Sequence, residues 1–328
     1  AHHGVAAVGG EEVGQAAPDD LVVVDEEYRG HALSVGPSGA GFVLGGPSAD
    51  EDGTYVPGAP VRTSSPGVTQ YRARMRDAVG DHRHCPFRRR RTRLGTMSDL
   101  TDLELLYELS ETAEREVDRH LRQAVDWHPH DYVPWSRGRD FAALGGEDFQ
   151  ENDSALSPVA RAALVMNLLT EDNLPSYHRE IAENFTLDGA WGYWVHRWTA
   201  EEARHSIVLR DYLTVTRGVD PVELEDLRMT QMQHGFAPGM NSMLLSVSYV
   251  TFQELATRIS HRNTAAVCDD PVADRMLARV AADENLHMLF YRNILGAAIE
   301  VAPAQALAAI HAVLTNFQMP GAGMPDFR

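Results

Sequence analysis

The chain has 328 residues, 44% of them hydrophobic, enough to bury a sizeable core in one large domain or two. Its net charge of −18 argues against a general nucleic-acid binder, although the 29 basic residues, all Arg, leave room for a local basic patch. Cys85 and Cys268 are too few for a disulfide framework, and no apolar run approaches the roughly 18 residues that cross a bilayer, so the expectation is a soluble, cytoplasmic protein without membrane insertion.

Residues 1–96 carry 15 of the 26 glycines but only −1 of the net charge, with little helical periodicity. Leu21-Val22-Val23-Val24 is a candidate strand with no strong partner, and Arg88 to Arg91 with Arg93 read as a solvated charge run. The expectation is a disordered or spurious extension, a natural start at Met97, and a folded domain over 97–328.

At Thr101 the texture changes. Thr101-Asp102-Leu103-Glu104 reads as a capping box before a Leu-rich helix reaching about Val125. After an aromatic, Pro-containing connection from Trp127 to Trp135, Ser157-Pro158 starts a helix to about Asn184 that carries Glu171, kinked or opened by Pro175. Asp188 can cap the next helix, which carries Glu202 and His205, runs to about Arg217 and is closed by Gly218. Asp220-Pro221 starts a connecting helix that Gly235 ends. Asn241 or Ser242 starts a long helix with Glu254 that reaches about Arg262. Asp270-Pro271 opens the helix of Glu284 and His287, and a last helix spans Pro303 to about Phe317, before Met319-Pro320-Gly321.

Two of these helices repeat one unit. Residues three apart share a helix face, so Glu202 with His205, and Glu284 with His287, each offer a carboxylate and an imidazole to one point. A lone acid precedes each pair, Glu171 by 31 residues and Glu254 by 30. This doubled Glu plus Glu-x-x-His pattern is that of a di-iron or di-manganese carboxylate four-helix bundle, in which four carboxylates balance two divalent ions. The fold expected is therefore all-α, a ferritin-like bundle with flanking helices.

Each ligand His must give its second ring N–H to an acceptor. Asp283 to His205 and Glu201 to His287 is the expected crossing, the alternative being two exposed acids. Thr257, one turn after Glu254, either passes protons during oxygen chemistry or bonds back to a helix carbonyl. Trp198 reads as packing, His261 as structural, and His178 with His196 as surface or structural histidines.

The motifs Thr170-Glu171-Asp172-Asn173-Leu174-Pro175, Trp198-Thr199-Ala200-Glu201-Glu202-x-Arg204-His205, Phe252-Gln253-Glu254-x-Ala256-Thr257-x-Ile259-Ser260-His261-x-Asn263-Thr264, and Ala282-Asp283-Glu284-x-x-His287 resemble those of the soluble acyl-acyl carrier protein desaturases. They look most like the mycobacterial and actinobacterial branch of the plant stearoyl type, over about Thr101 to Arg328. The resemblance implies two Fe ions held by Glu171, Glu202, His205, Glu254, Glu284 and His287, a homodimer, and desaturation of a fatty acyl chain carried on acyl carrier protein. It also implies that Thr257 assists oxygen activation and that Trp127 with Asp283 lies on the route of electrons from reduced ferredoxin. Ala203, Leu286 and Asn167 depart from the plant pattern, which puts regiospecificity and electron entry in question more than metal binding. The family continues past Arg328, so the chain is expected to be cut short. Arg119, Arg122, Arg137 and Arg139 are candidates for meeting the acidic carrier. The alternatives are another di-iron oxygenase, a hydroxylase or N-oxygenase, and a ferritin-like iron-binding protein.

Overall fold

The computed structural model describes residues 99–236 and 239–319, and among these it contains nine α-helices, short 3-10 turns and no strand. The expectations for residues 1–96, the start at Met97 and the stop at Pro320-Gly321 lie outside the described residues. The helices are α1 (Asp102–Glu108), α2 (Ser110–Gln123), α3 (Pro158–Glu171), α4 (Leu174–Phe185), α5 (Gly189–Val215), α6 (Pro221–His234), α7 (Met243–Cys268), α8 (Pro271–Val301) and α9 (Pro303–Asn316).

Local chemistry sets most boundaries. Thr101 and Glu104 form the expected reciprocal capping box on α1. The expected single helix is interrupted at Leu109, although Leu109 and Ala113 keep their bonds to carbonyls four residues back, at 3.0 and 2.9 Å. Ser110 bonds to the Leu106 carbonyl at 2.7 Å, the back-bonding that bends a helix at such a point. Ser242 caps α7, and Asp270 with Pro271 opens α8.

Several boundaries differ from expectation. Pro175 breaks its helix rather than kinking it: its ring would meet the carbonyl four residues back, that of Glu171, so α3 ends at Glu171 and α4 begins at Leu174. Arg228 of α6 then grips the Asp172 carboxylate at the break with two nitrogens. Helix α7 continues past Arg262 to Cys268, because Asn263 to Cys268 contains no breaker and buries Thr264, Ala265 and Cys268. Asp188 precedes α5 without a side-chain cap bond. At the other end of α5 it is Arg217, at φ 51°, that turns left-handed before Gly218. The buried Arg217 guanidinium holds the 3-10-rich connection in place, bonding Asp153, the carbonyls of Asp140 and Glu147, and the Phe141 ring face at 4.2 Å.

The three long helices share one layering. On α5, Trp191 to Trp198 join one apolar cluster and Val208 to Leu213 another, with Glu201, Glu202 and His205 between them. Helix α7 repeats this with Met243 to Val250, then Glu254, Thr257 and His261, then Ala265 and Cys268. Helix α8 runs the opposite way, from Ala273 to Val280 through Asp283, Glu284 and His287 to Phe290 and Ile294. Each fully buried large apolar side chain contributes about 1.5–3 kcal/mol, so both ends hold the bundle together. The ionisable layer between them is a cost unless its charges are matched.

Candidate metal centre

Helix α3 brings Glu171 as its last residue, α5 brings Glu202 and His205, α7 brings Glu254, and α8 brings Glu284 and His287; all six are buried. They form two overlapping groups. Glu171, Glu202, His205 and Glu284 offer ligand atoms within 4.8 Å of one another, as do Glu202, Glu254, Glu284 and His287. Glu202 and Glu284 are common to both, and each group adds one further Glu and one His.

The donor atoms are aimed as a ligand set would be. Both imidazoles turn Nδ1 inward: His205 Nδ1 is 3.2 Å from Glu284, 3.4 Å from Glu202 and 3.5 Å from Glu171, while His287 Nδ1 is 2.7 Å from Glu202 and 3.6 Å from Glu254. Despite these approaches, His205 Nδ1, His287 Nδ1, Glu202 Oε1, Glu254 Oε2 and Glu284 Oε1 are buried atoms without a hydrogen-bond partner. Lone pairs that converge without bonding one another fit two divalent cations bound through hard oxygen and imidazole donors.

The charges of the layer are set against one another by its own side chains. Burial pushes the carboxyls of Glu254 and Glu202 up, and the neighbouring Glu284 adds to both. Burial acts the same way on Glu171 and Glu284, but the adjacent His205 imidazole helps hold each below the usual carboxylate range. Both imidazoles sit well above their ordinary value: burial opposes the charge, yet Glu202 and the other surrounding carboxylates outweigh it. Metal binding must therefore displace protons.

The outward nitrogens follow the expected crossing. His205 Nε2 lies 3.5 Å from Asp283, an ion-pair contact, and His287 Nε2 is bonded to Glu201 at 2.9 Å. Asp283 also accepts from Trp127 Nε1 at 2.7 Å, Arg204 at 3.1 Å and Arg279 at 2.5 Å. The Trp127 ring lies parallel to His205 at 6.3 Å. Glu201 meets His120 Nε2 at 2.9 Å and forms an ion pair with Arg197.

Three of the four inner carboxylates also have a holder. His261 Nε2 meets Glu171 at 3.0 Å, Thr257 Oγ1 meets Glu284 at 2.9 Å, and Trp198 Nε1 donates to Glu254 at 3.0 Å. Trp198, read from sequence as packing alone, therefore does both. Thr257 also lies 3.1 Å from the carbonyls of Gln253 and Glu254, so the hydroxyl that meets Glu284 also bonds back to its own helix. Asn167 clamps α3 to α7, donating to Thr264 and accepting from Ser260 at 2.9 Å each.

Other sequence expectations fall away from the centre. His178 is half-buried on Thr199, and His196 is exposed. Of the arginines proposed for carrier recognition, Arg119 pairs with Glu116, Arg137 with Asp270 and Arg139 with Asp153. His120, Arg197, Arg204 and Arg279 were missed. For His120 a signal existed, since Ala113, Glu116, Val117 and His120 form one buried stripe on α2, and a His within such a stripe needs a polar partner.

Residues 101–328 match the fatty acid desaturase family. The chain is 58% identical over 237 residues to the Mycobacterium tuberculosis protein designated acyl-(acyl carrier protein) desaturase DesA1, 70% of each chain. It is 33% identical over 227 residues to the chloroplastic stearoyl-(acyl carrier protein) 9-desaturase 6 of Arabidopsis thaliana, 63% of this chain and 57% of that one. A crystal structure of the Mycobacterium tuberculosis H37Rv protein designated acyl-ACP desaturase DesA2 superposes with a TM-score of 0.54 at 32% identity, covering 68% of this chain and 82% of the other. Among the described residues no helix is long and apolar enough to cross a membrane. With its doubled carboxylate and histidine layer and these relatives, the chain belongs to the fatty acid desaturase family, whose members are oxidoreductases.

Proposed function

We propose that this enzyme introduces a double bond into a fatty acyl chain carried on acyl carrier protein, using dioxygen, two irons per chain and electrons from reduced ferredoxin, and that it works as a homodimer. The observation that carries the reading is the sharing of Glu202 and Glu284 between two ligand groups, in a chain similar to named acyl-ACP desaturases. Glu171 and His205 would complete one iron position and Glu254 and His287 the other, with Glu202 and Glu284 serving both.

Two irons there would supply the Lewis acidity and the electrons that reduction of dioxygen requires. The chain's own residues do the rest. Asp283 and Glu201 hold the two imidazoles with Nδ1 inward and Nε2 outward, which fixes the tautomer a metal needs. Thr257 holds a proton 2.9 Å from Glu284 Oε2, where it can enter the centre without bulk water. Trp127, hydrogen-bonded to Asp283 and lying over His205, is the contact through which electrons would reach the buried layer. A small crevice lined mostly by apolar side chains, with Glu180 and Gln253 also at its wall, adjoins the indole that holds Glu254.

Mass spectrometry of acyl carrier proteins of several chain lengths, after incubation with the protein, ferredoxin, its reductase and dioxygen, tests the reading. The expected product lacks two hydrogens; together with two electrons from ferredoxin and two protons they reduce one dioxygen to two waters. A product that has gained one oxygen would make the enzyme a hydroxylase. Iron uptake without any change in the acyl chains would favour storage.

A further inference from the structure

We propose that His120 is a positioning residue for the metal position of Glu254 and His287: by donating its Nε2–H to Glu201, it keeps that carboxylate on His287. The inference rests on the two-metal reading above.

Glu201 Oε2 lies 2.9 Å from His120 Nε2 and 2.9 Å from His287 Nε2. An ionised carboxylate only accepts, so both imidazoles must carry a proton on Nε2. For His287 this would leave Nδ1, which faces Glu202 and Glu254, as the nitrogen offered to a bound metal. His120, Glu201 and His287 lie close enough to be taken for a third metal site. Two N–H groups already meet one oxygen at hydrogen-bond distance, however, so the arrangement is a bonded triad.

Glu201 is under competing pulls. Its other oxygen is gripped by Arg197, whose side chain is 27% exposed and reaches toward Asp126 at 3.9 Å, and Arg204 stands 3.8 Å from it. Guanidinium–carboxylate bonds are stronger than those from a neutral imidazole and readily become bidentate. Without a donor on the inner side, the carboxylate would turn both oxygens toward the guanidinium groups and release His287. His120 opposes this from a fixed place: it is 1% exposed, packed edge-on against Trp194 at 5.0 Å and stacked at 5.8 Å on His287 itself.

The geometry has a counterpart in the other half of the centre. Asp283, the acid facing His205, accepts from Trp127 at 2.7 Å. His120 on α2 and Trp127 just beyond its end thus each hold one of the two acids that orient the ligand imidazoles. One eight-residue stretch braces both halves.

The test is anaerobic titration of the apoprotein with ferrous ion alone, followed by equilibrium dialysis and near-infrared ligand-field spectra. Wild type should bind two ions; if it binds none, the two-metal reading fails rather than this inference. His120→Phe keeps the ring and removes the donor. It should bind one ion as wild type does and the other about tenfold or more weakly, with the bands of only one ion shifted. His120→Gln, which can place an amide nitrogen near the former Nε2, should restore the second ion, whereas His120→Asn should not. Wild-type affinity and bands in His120→Phe would overturn the assignment. Equal weakening of both ions with a lowered Tm of the apoprotein would also overturn it, making His120 a packing residue. Should His120→Phe not fold, the comparison of Gln with Asn decides alone, and identical behaviour of the two sinks the proposal.

Discussion

Glu202 of α5 and Glu284 of α8 are the two side chains that belong to both ligand groups of the centre. A carboxylate shared by two cations lowers the repulsion between them, so removing it affects both positions, whereas Glu171 serves only one. Elemental analysis after anaerobic ferrous reconstitution should give two irons per chain for wild type, about one for Glu171→Ala and almost none for the double variant Glu202→Ala, Glu284→Ala. Full occupancy in the double variant would remove the proposed ligand set.

Thr257 has one hydroxyl proton and three acceptors, with Glu284 Oε2 nearest at 2.9 Å. Replacing it by Val keeps the shape and should leave iron content unchanged. If the proton is used, product formed per dioxygen consumed falls and the rate drops about a hundredfold. Unchanged coupling and rate would leave Thr257 a helix-bonding residue.

Trp127→Phe removes the N–H given to Asp283 while keeping an aromatic ring beside His205. Turnover driven by reduced ferredoxin should fall about tenfold or more, the usual scale for losing a group that supports a metal ligand. A single turnover started from chemically reduced enzyme should retain its yield. Equal losses in both assays would assign Trp127 to the site's architecture instead of electron entry.

Asp283 makes the apoprotein's stability depend on pH. Burial raises its carboxyl, but His205 and Arg279 lower it further, so it ends well below the usual carboxylate range. A carboxyl held lower in the folded than in the unfolded chain contributes stability above its unfolded value, near 3.9, and loses it as pH falls through the folded one. Apo wild type should therefore exceed apo Asp283→Asn by about 3 kcal/mol at neutral pH, with the gap narrowing below pH ~4. Denaturant unfolding across that range measures it; a constant gap would mean a packing defect without linkage.

The ligand set was legible because it is built from local geometry. Glu202 with His205 and Glu284 with His287 share a face at helical spacing whatever the rest of the chain does, and the repetition of Glu171 and Glu254 upstream told which faces must meet. The crossed pairing of Asp283 and Glu201 followed from the same register, as did the capping box at Thr101 and the Asp270-Pro271 start of α8. Pro175 announced a disturbance but not its extent: whether the chain bends or breaks depends on what receives the freed backbone, and Arg228, 56 residues further on, grips Asp172 at that point. Arg197 and Arg279 stand one helical turn from Glu201 and Asp283 on their own helices, but His120 and Trp198 have no fixed sequence distance from the groups they touch. Their partners lie on other helices, 56 to 81 residues away for Trp198 and His120, so only packing decides them. The sequence by itself determined which residues point at the centre, since helical periodicity is a property of adjacent residues. The tertiary structure alone decided what holds those residues in place, since that depends on which helices are neighbours and how they are turned.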